Sequence, residues 1–276
     1  MAASASIGSF RVGDGEKPLL IAGPCVVESE DLTLSIADTI ARLPIAREFH
    51  FVFKASYLKD NRSSGESFRG LGLDEGLRIL EKVRTRVGCP VLSDVHDVGE
   101  VAAAAATVDV IQIPAFLSRQ TSLIEAAAAT GKPLNIKKGQ FLAPEDMSNV
   151  VEKARAAGAR DLLLTERGTS FGYHDLVVDF RGFARMRAVG CPVIFDVTHS
   201  LQRPGGLGTA SGGEPALAPM MARAAAAVPV DGLFIETHPN PSQAKSDAAS
   251  MLPLDQLPRL LEDVVRVFAA ARGARS

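Results

Sequence analysis

Val108-Asp109-Val110-Ile111-Gln112-Ile113 is a short, nearly continuous apolar run, the signature of a parallel strand covered on both faces. Comparable runs recur near 18–23, 49–56, 90–95, 133–138, 161–166, 192–197 and 231–236. With 109–113 they make eight. The intervals carry helical patterns, such as the stripe Leu77, Leu80, Val83 and Val87 after Asp74-Glu75. Gly88 and Gly158 stand where helices end, Pro144-Glu145-Asp146 opens another, and the alanine-rich stretches 102–106, 126–129 and 224–227 read as helix. Eight strand-then-helix units predict an α/β chain folded as a (β/α)8 TIM barrel, with a doubly wound sheet as the alternative. A length of 276 residues suits one barrel domain over 1–276. Ser9 to Pro18, with Val12-Gly13-Asp14-Gly15 as its turn, reads as a short N-terminal hairpin closing the barrel bottom.

Thirty basic and 32 acidic residues leave a net charge of −2, which gives no electrostatic reason to expect nucleic acid or an anionic membrane as partner. No apolar run approaches the roughly 20 residues of a membrane span, and Met1 to Phe10 lacks the pattern of a signal peptide. Three widely spaced cysteines argue against a disulfide framework and for a reducing, cytoplasmic setting. Cys89 and Cys191, each in Gly-Cys-Pro before an apolar run, fall at strand starts and read as small buried apolar residues.

Active sites of such barrels lie at the carboxyl ends of the strands. Cys25, His199 and Glu236 each follow or end an apolar run, and Asp247 follows on a polar loop. One thiolate, one imidazole and two carboxylates form a mixed ligand set for a divalent metal, better suited to Zn, Fe, Mn or Co than to Mg. Each residue alone reads more simply as a packed or hydrogen-bonded group. Four on one rim point to the metal.

Cations gather at the same rim: Lys54 and Lys59 after the second strand with Arg62 beyond, Arg119 past the fourth, Lys137 ending the fifth and Arg167 following the sixth. Lys54 alternates with Ser56 in an apolar strand, and an interior lysine is costly without an anionic partner. A basic mouth on a net-negative chain implies substrates with several negative charges. His96 and His238 read as hydrogen-bond partners of the site. The glycine-rich stretch Gly205-Gly206-Leu207-Gly208 and Ser211-Gly212-Gly213 lacks a Walker lysine and reads as a mobile lid.

Lys59-Asp60-Asn61-Arg62-Ser63-Ser64, Ile113-Pro114-Ala115-Phe116-Leu117-Ser118-Arg119-Gln120-Thr121, Phe171-Gly172-Tyr173, Asp196-Val197-Thr198-His199-Ser200 and Leu252-Pro253-Leu254 together resemble the 3-deoxy-D-manno-octulosonate 8-phosphate synthases. The likeness runs from about Leu19 to the last helix. It implies a (β/α)8 barrel, a homotetramer, and condensation of phosphoenolpyruvate with D-arabinose 5-phosphate for lipopolysaccharide biosynthesis. Cys25 after Gly-Pro matches the metal-dependent branch, whose metal-independent counterpart carries Asn there. The resemblance implies Cys25, His199, Glu236 and Asp247 as metal ligands, and Lys137 and Arg167 as the phosphoenolpyruvate clamp, with Lys54, Ser56 and Gln112 lining its pocket. Asn61, Arg62 and Ser63 would hold the pentose phosphate, joined by Arg119 reaching into a neighbouring subunit, and Lys59 is a further substrate-binding residue. The catalytic set would be Cys25, Lys137, His199 and Asp247. This chain departs from the family at Tyr57-Leu58-Lys59-Asp60, where Phe-Asp-Lys-Ala is usual, a change that bears on pentose placement and not on reaction class.

Three alternatives stand beside this reading. They are a heptulosonate phosphate synthase using erythrose 4-phosphate, a Schiff-base aldolase working through Lys54 or Lys137, and a non-catalytic sugar-phosphate-binding barrel. The first normally carries Pro-Arg-Thr where this chain has Asn61-Arg62-Ser63.

Overall fold

The computed structural model describes residues 3–13, 15–60, 67–206 and 211–273. Its barrel strands, numbered here in chain order, are β1 (Leu19–Gly23), β2 (His50–Lys54), β3 (Val91–Asp94), β4 (Val110–Ile113), β5 (Leu134–Lys137), β6 (Leu162–Glu166), β7 (Val193–Asp196) and β8 (Gly232–His238). Each pairs in parallel with its neighbours, and β8 pairs with both β7 and β1, so the sheet closes into the expected barrel. Closure removes the sheet edges. Helices α1 (Glu30–Ala41), α2 (Leu73–Val87), α3 (Val101–Thr107), α4 (Thr121–Ala129), α5 (Met147–Ala156), α6 (Arg181–Arg187), α7 (Ala218–Ala226) and α8 (Leu257–Gly273) return the chain between strands and close the last unit.

Local chemistry explains the helix ends. The side chain of Ser29 accepts from Leu32 N to cap α1. Asp74 and Glu75 sit in the first turn of α2, Arg84 and Arg86 in its last, and Gly88 ends it at φ 76°, all favourable to the helix dipole and the left-handed cap. Leu77, Ile79, Leu80 and Val83 of this helix are buried against the barrel. The main core lies between strands and helices, and a second cluster fills the barrel interior with Leu19, Ile21, Val52, Leu92, Val110, Leu163, Ile194 and Phe234.

The N-terminal hairpin exists but sits earlier than the sequence suggested. It pairs Ser4–Ile7 with Phe10–Gly13 and turns at Gly8-Ser9, with Gly8 at φ 54°. Gly13 belongs to a strand, not to the turn, because Val12 beside it is buried together with Ala5 and Ile7 against the interior cluster. The hairpin therefore does close the amino end, and Asp161 Oδ1 accepts from Ser6 N at 2.6 Å. A second feature had no sequence signal: Thr169–Gly172 and Asp175–Val177 form an antiparallel pair after β6, turning through Tyr173 and His174 at φ 55° and 65°. Tyr is an unusual left-handed residue, whereas His is among the non-glycine types that adopt this region more often.

Candidate functional site

At the carboxyl rim, β1 and β8 lie side by side with Gly23 opposite Glu236. A Cβ on Gly23 would fall 2.1 Å from the Lys54 carbonyl oxygen, so only glycine lets β1 lie this close to β2 just before Cys25. Cys25, Glu236 and Asp247 bring one ligand atom each to within 4.8 Å of one another. His199 joins from the end of β7: its Nε2 is 3.6 Å from Glu236 Oε2 and 3.7 Å from Asp247 Oδ2. Asp247 sits at φ 50°, a left-handed conformation that Asp tolerates better than most residues. The Cys25 thiol donates to Asp247 Oδ2 at 2.9 Å, and Ser246 Oγ lies 2.9 Å from the same sulfur.

Burial, then the charges of Asp247 and Glu236, push the Cys25 thiol well above its ordinary value. It is a thiol until a cation displaces its proton. Burial alone would raise the Glu236 carboxyl, but the charges of His199, Lys54 and Lys59 outweigh it and hold the group ionised. Glu236 Oε2 is buried with no hydrogen-bond partner among the described residues. A buried ionised oxygen in that condition calls for a positive partner, and the mixed sulfur, nitrogen and oxygen donors around it fit a divalent cation of the Zn, Fe, Mn or Co type.

Two lysines of the rim are held by protein carboxylates. Lys54 Nζ donates to Glu236 Oε1 at 2.7 Å and to Cys25 O at 2.8 Å, and Lys137 Nζ donates to Asp196 Oδ2 at 2.6 Å. The interior position of Lys54 therefore needs no substrate anion to explain it, contrary to the sequence argument. Lys59 is buried; burial would lower its ammonium pKa, but the charges of Cys25, Asp94, Glu236 and Asp247 raise it. Arg167 is different. Its Nη2 donates to Gln202 Oε1 at 2.8 Å, while its Nη1 is buried with no partner among the described residues.

Lys54, Lys59, Gln112, Lys137, Arg167, His199 and Asp247, half of the site residues picked from sequence, line one cavity of about 440 Å³; Cys25 and Glu236 are buried beside Asp247 and are not among the lining residues. Ser56 stands behind the wall, fully buried, with its hydroxyl donating to Asp94 Oδ1. Arg119 is exposed and is not among the cavity-lining residues. Asn61, Arg62 and Ser63 lie outside the described residues, as do 207–210 of the glycine-rich stretch. The new acid at Asp60 pairs with Arg69, and Tyr57 donates to Glu100 Oε2 at 2.7 Å. His96 Nε2 lies 3.1 Å from Asp94 Oδ2. His238 turns elsewhere, its Nδ1 accepting from Asn240 N at 3.0 Å and its Nε2 3.9 Å from Glu28.

Sequence reasoning passed over Asp196, which binds Lys137 and faces His199 Nδ1 at 2.8 Å. Its signal was available, since a carboxylate inside Val193-Ile194-Phe195-Asp196 is as anomalous as the lysines. Phe234 was also missed; the Lys137 ammonium sits 3.8 Å from its ring centroid, a favourable cation–π contact. Lys138 was overlooked as well: fully buried, it reaches Glu166 at 3.4 Å and ties together the turns after β5 and β6.

Residues 3–271 match the model of the DAHP synthetase I family. A 2-dehydro-3-deoxyphosphooctonate aldolase of Synechococcus sp. is 55% identical over 261 residues, covering 95% of this chain and 92% of the relative. Proteins of the same name from Burkholderia mallei and Cyanothece sp. are 53% and 52% identical, covering 97% and 95% of this chain and 96% of each relative.

Proposed function

The chain belongs to the DAHP synthetase I family, and from that premise we propose that it is a transferase-type synthase condensing phosphoenolpyruvate with D-arabinose 5-phosphate and water. The products are 3-deoxy-D-manno-octulosonate 8-phosphate and inorganic phosphate, for lipopolysaccharide biosynthesis. The observation that carries this reading is a single cavity whose wall holds Lys54, Lys137 and the unsatisfied Arg167 Nη1 beside the metal-facing His199 and Asp247. Such a wall suits an anion and a divalent cation side by side. The names of the relatives point to the same chemistry.

In this reading Arg167 and Lys137 hold phosphoenolpyruvate, with Lys54 and Gln112 completing its pocket and Ser56 steadying Asp94 behind it. Lys59 faces the pentose phosphate, which the sequence motif assigns to Asn61, Arg62 and Ser63. Two anions repel in water, so holding both on fixed cations supplies the orientation that makes their reaction effectively unimolecular. The methylene carbon of phosphoenolpyruvate attacks the aldehyde, water adds at the adjacent carbon, and phosphate leaves by carbon–oxygen cleavage. A divalent cation held by Cys25, His199, Glu236 and Asp247 would supply Lewis acidity, polarising the aldehyde or acidifying a water.

The chain works as one barrel domain in a cytoplasmic homotetramer, with Arg119 completing a neighbour's pentose site. Its exposure outside the cavity supports that role. All three cysteines are free and buried, and no helix among the described residues is long and apolar enough to cross a membrane. Phosphate release from phosphoenolpyruvate, compared for arabinose 5-phosphate and erythrose 4-phosphate before and after chelation, tests the function. Preference for the tetrose selects the heptulosonate alternative. Chelator-resistant activity trapped by borohydride selects a Schiff base, and no turnover with any metal selects a sensor.

A further inference from the structure

We propose that Asp196 is a positioning residue that fixes Lys137 and His199 to one another through a single carboxylate, so that one group sets both the phosphoenolpyruvate clamp and the metal site. The inference rests on the roles given above to Lys137 and His199. Asp196 ends β7 and is fully buried. Four donors converge on its two oxygens. Oδ2 accepts from Lys137 Nζ at 2.6 Å and lies 2.8 Å from His199 Nδ1. Oδ1 accepts from the His199 backbone N at 2.9 Å and from Thr198 Oγ1 at 3.3 Å.

Both ends of this arrangement are otherwise constrained. Lys137 rests on the face of Phe234, so ring and carboxylate together fix where its ammonium points. With Nδ1 turned to Asp196, His199 Nε2 faces Glu236 and Asp247, so an imidazole that keeps its proton on Nδ1 offers Nε2 to a metal there, the orientation a metal-binding imidazole needs from its outer partner. Thr198 extends the link, because its hydroxyl also accepts from Glu236 N at 3.0 Å. One oxygen therefore registers an ammonium on the substrate side against an imidazole on the metal side.

Acceptor counting gives the test. An amide offers one acceptor oxygen where a carboxylate offers two. In Asp196→Asn one of the two donor pairs must face an NH2 group, so either Lys137 and the imidazole lose their acceptor or the backbone anchor beneath them does. Both sites should move together. Metal-stripped wild type and Asp196→Asn are titrated calorimetrically with Mn²⁺ and, separately and still without metal, with phosphoenolpyruvate; KM for arabinose 5-phosphate is measured on the reloaded enzymes. The variant should bind Mn²⁺ about 10–100-fold more weakly. It should bind phosphoenolpyruvate roughly tenfold more weakly, the effect of misplacing one charge-assisted hydrogen bond. The pentose phosphate KM should stay within about twofold, since no substituted atom touches that end. A merely structural defect would move all three.

Loss of only one affinity, or an equal rise in the pentose KM, overturns the inference while leaving the proposed function intact. Wild type that binds neither Mn²⁺ nor phosphoenolpyruvate removes both. If circular dichroism shows Asp196→Asn unfolded, Asp196→Glu is titrated instead: it keeps both oxygens but displaces them, so both affinities should again fall, and an effect on one alone refutes the link.

Discussion

Replacing Lys54 by Met should destabilise the metal-stripped protein far more than the metal-loaded one. The Lys54–Glu236 pair is 2% and 1% exposed at 2.7 Å, and breaking a buried pair by removing one partner costs about 3–5 kcal/mol, because the remaining charge is stranded. Met keeps most of the lysine volume, so little of that loss is cavity. Glu236 would be left with Oε2 already unpartnered and with His199 Nε2 no nearer than 3.6 Å. At about 2–4 °C per kcal/mol for a large domain, the melting temperature should drop by roughly 6–20 °C.

A divalent cation on the same carboxylate supplies the positive charge that Lys54 withdrew, so the loss should shrink when metal is bound. Linkage then fixes a second observable. If the loss is about 2 kcal/mol smaller with metal, the variant must bind that metal about 30-fold more tightly than wild type. Denaturant unfolding with chelator and with saturating Mn²⁺ gives the first quantity, and Mn²⁺ calorimetry gives the second. Turnover falls in either case, since Lys54 lines the cavity, and does not discriminate. An equal loss with and without metal, together with unchanged Mn²⁺ affinity, would refute Glu236 as a ligand.

Chelation should silence the wild type, with Mn²⁺, Co²⁺, Fe²⁺ or Zn²⁺ restoring phosphate release to differing extents, whereas Cys25→Asn should bind metal weakly yet keep a small chelator-resistant activity; full wild-type activity after verified metal removal would sink the metal assignment. Mixing inactive Arg119→Ala with inactive His199→Ala subunits should restore some turnover if Arg119 acts in a neighbour's site, and mixed oligomers that stay wholly inactive count against it. Acid should unfold the metal-stripped protein through Asp196 and Asp247. Burial would raise both carboxyls, but His199 with Lys137, and His199 with Lys59, hold them far below their ordinary range. Their stabilisation is complete above the unfolded value near 3.8 and is lost as pH falls toward the depressed values. Stability of Asp196→Asn, followed by circular dichroism, should fall less steeply below about pH 4; a slope equal to wild type would contradict it.

The barrel was legible because parallel strands buried on both faces write themselves as apolar runs. Every run named from sequence overlaps a strand, from Leu19–Gly23 to Gly232–His238. The hairpin slipped because the Gly13-Asp14-Gly15 turn signal is local, whereas burial of Val12 against Ile7 and Leu19 is tertiary and extends the strand through Gly13. The turn at Tyr173-His174 was illegible for a related reason: two non-glycine residues hold left-handed backbone there, and the modest enrichment of His in that region is too weak a local signal to announce a turn. For the site, residue types at strand ends picked out Cys25, Glu236 and Asp247, which the fold clusters, and the lysines of the cavity wall. They did not find the pairing, because Lys54 meets Glu236 and Lys137 meets Asp196 across an intervening strand of the closed sheet.

That pairing changes what the basic rim means. Lys54 from β2 meets Glu236 from β8, Lys137 from β5 meets Asp196 from β7, and Lys138 meets Glu166. Among the buried lysine and arginine atoms described, Arg167 Nη1 is the one with no hydrogen-bond partner. A rim of uncompensated cations would attract any polyanion; a rim of matched pairs does not. An anion arriving alone must share Lys54 and Lys137 with the buried carboxylates that already hold them, at the cost of like-charge repulsion. A cation on Glu236 and His199 relieves that penalty on the carboxylate side, and the anion relieves it on the ammonium side. The wall is thus suited to a cation and an anion together better than to either one, and selectivity comes from internal pairing where the sequence, read as a sum of charges, showed only attraction.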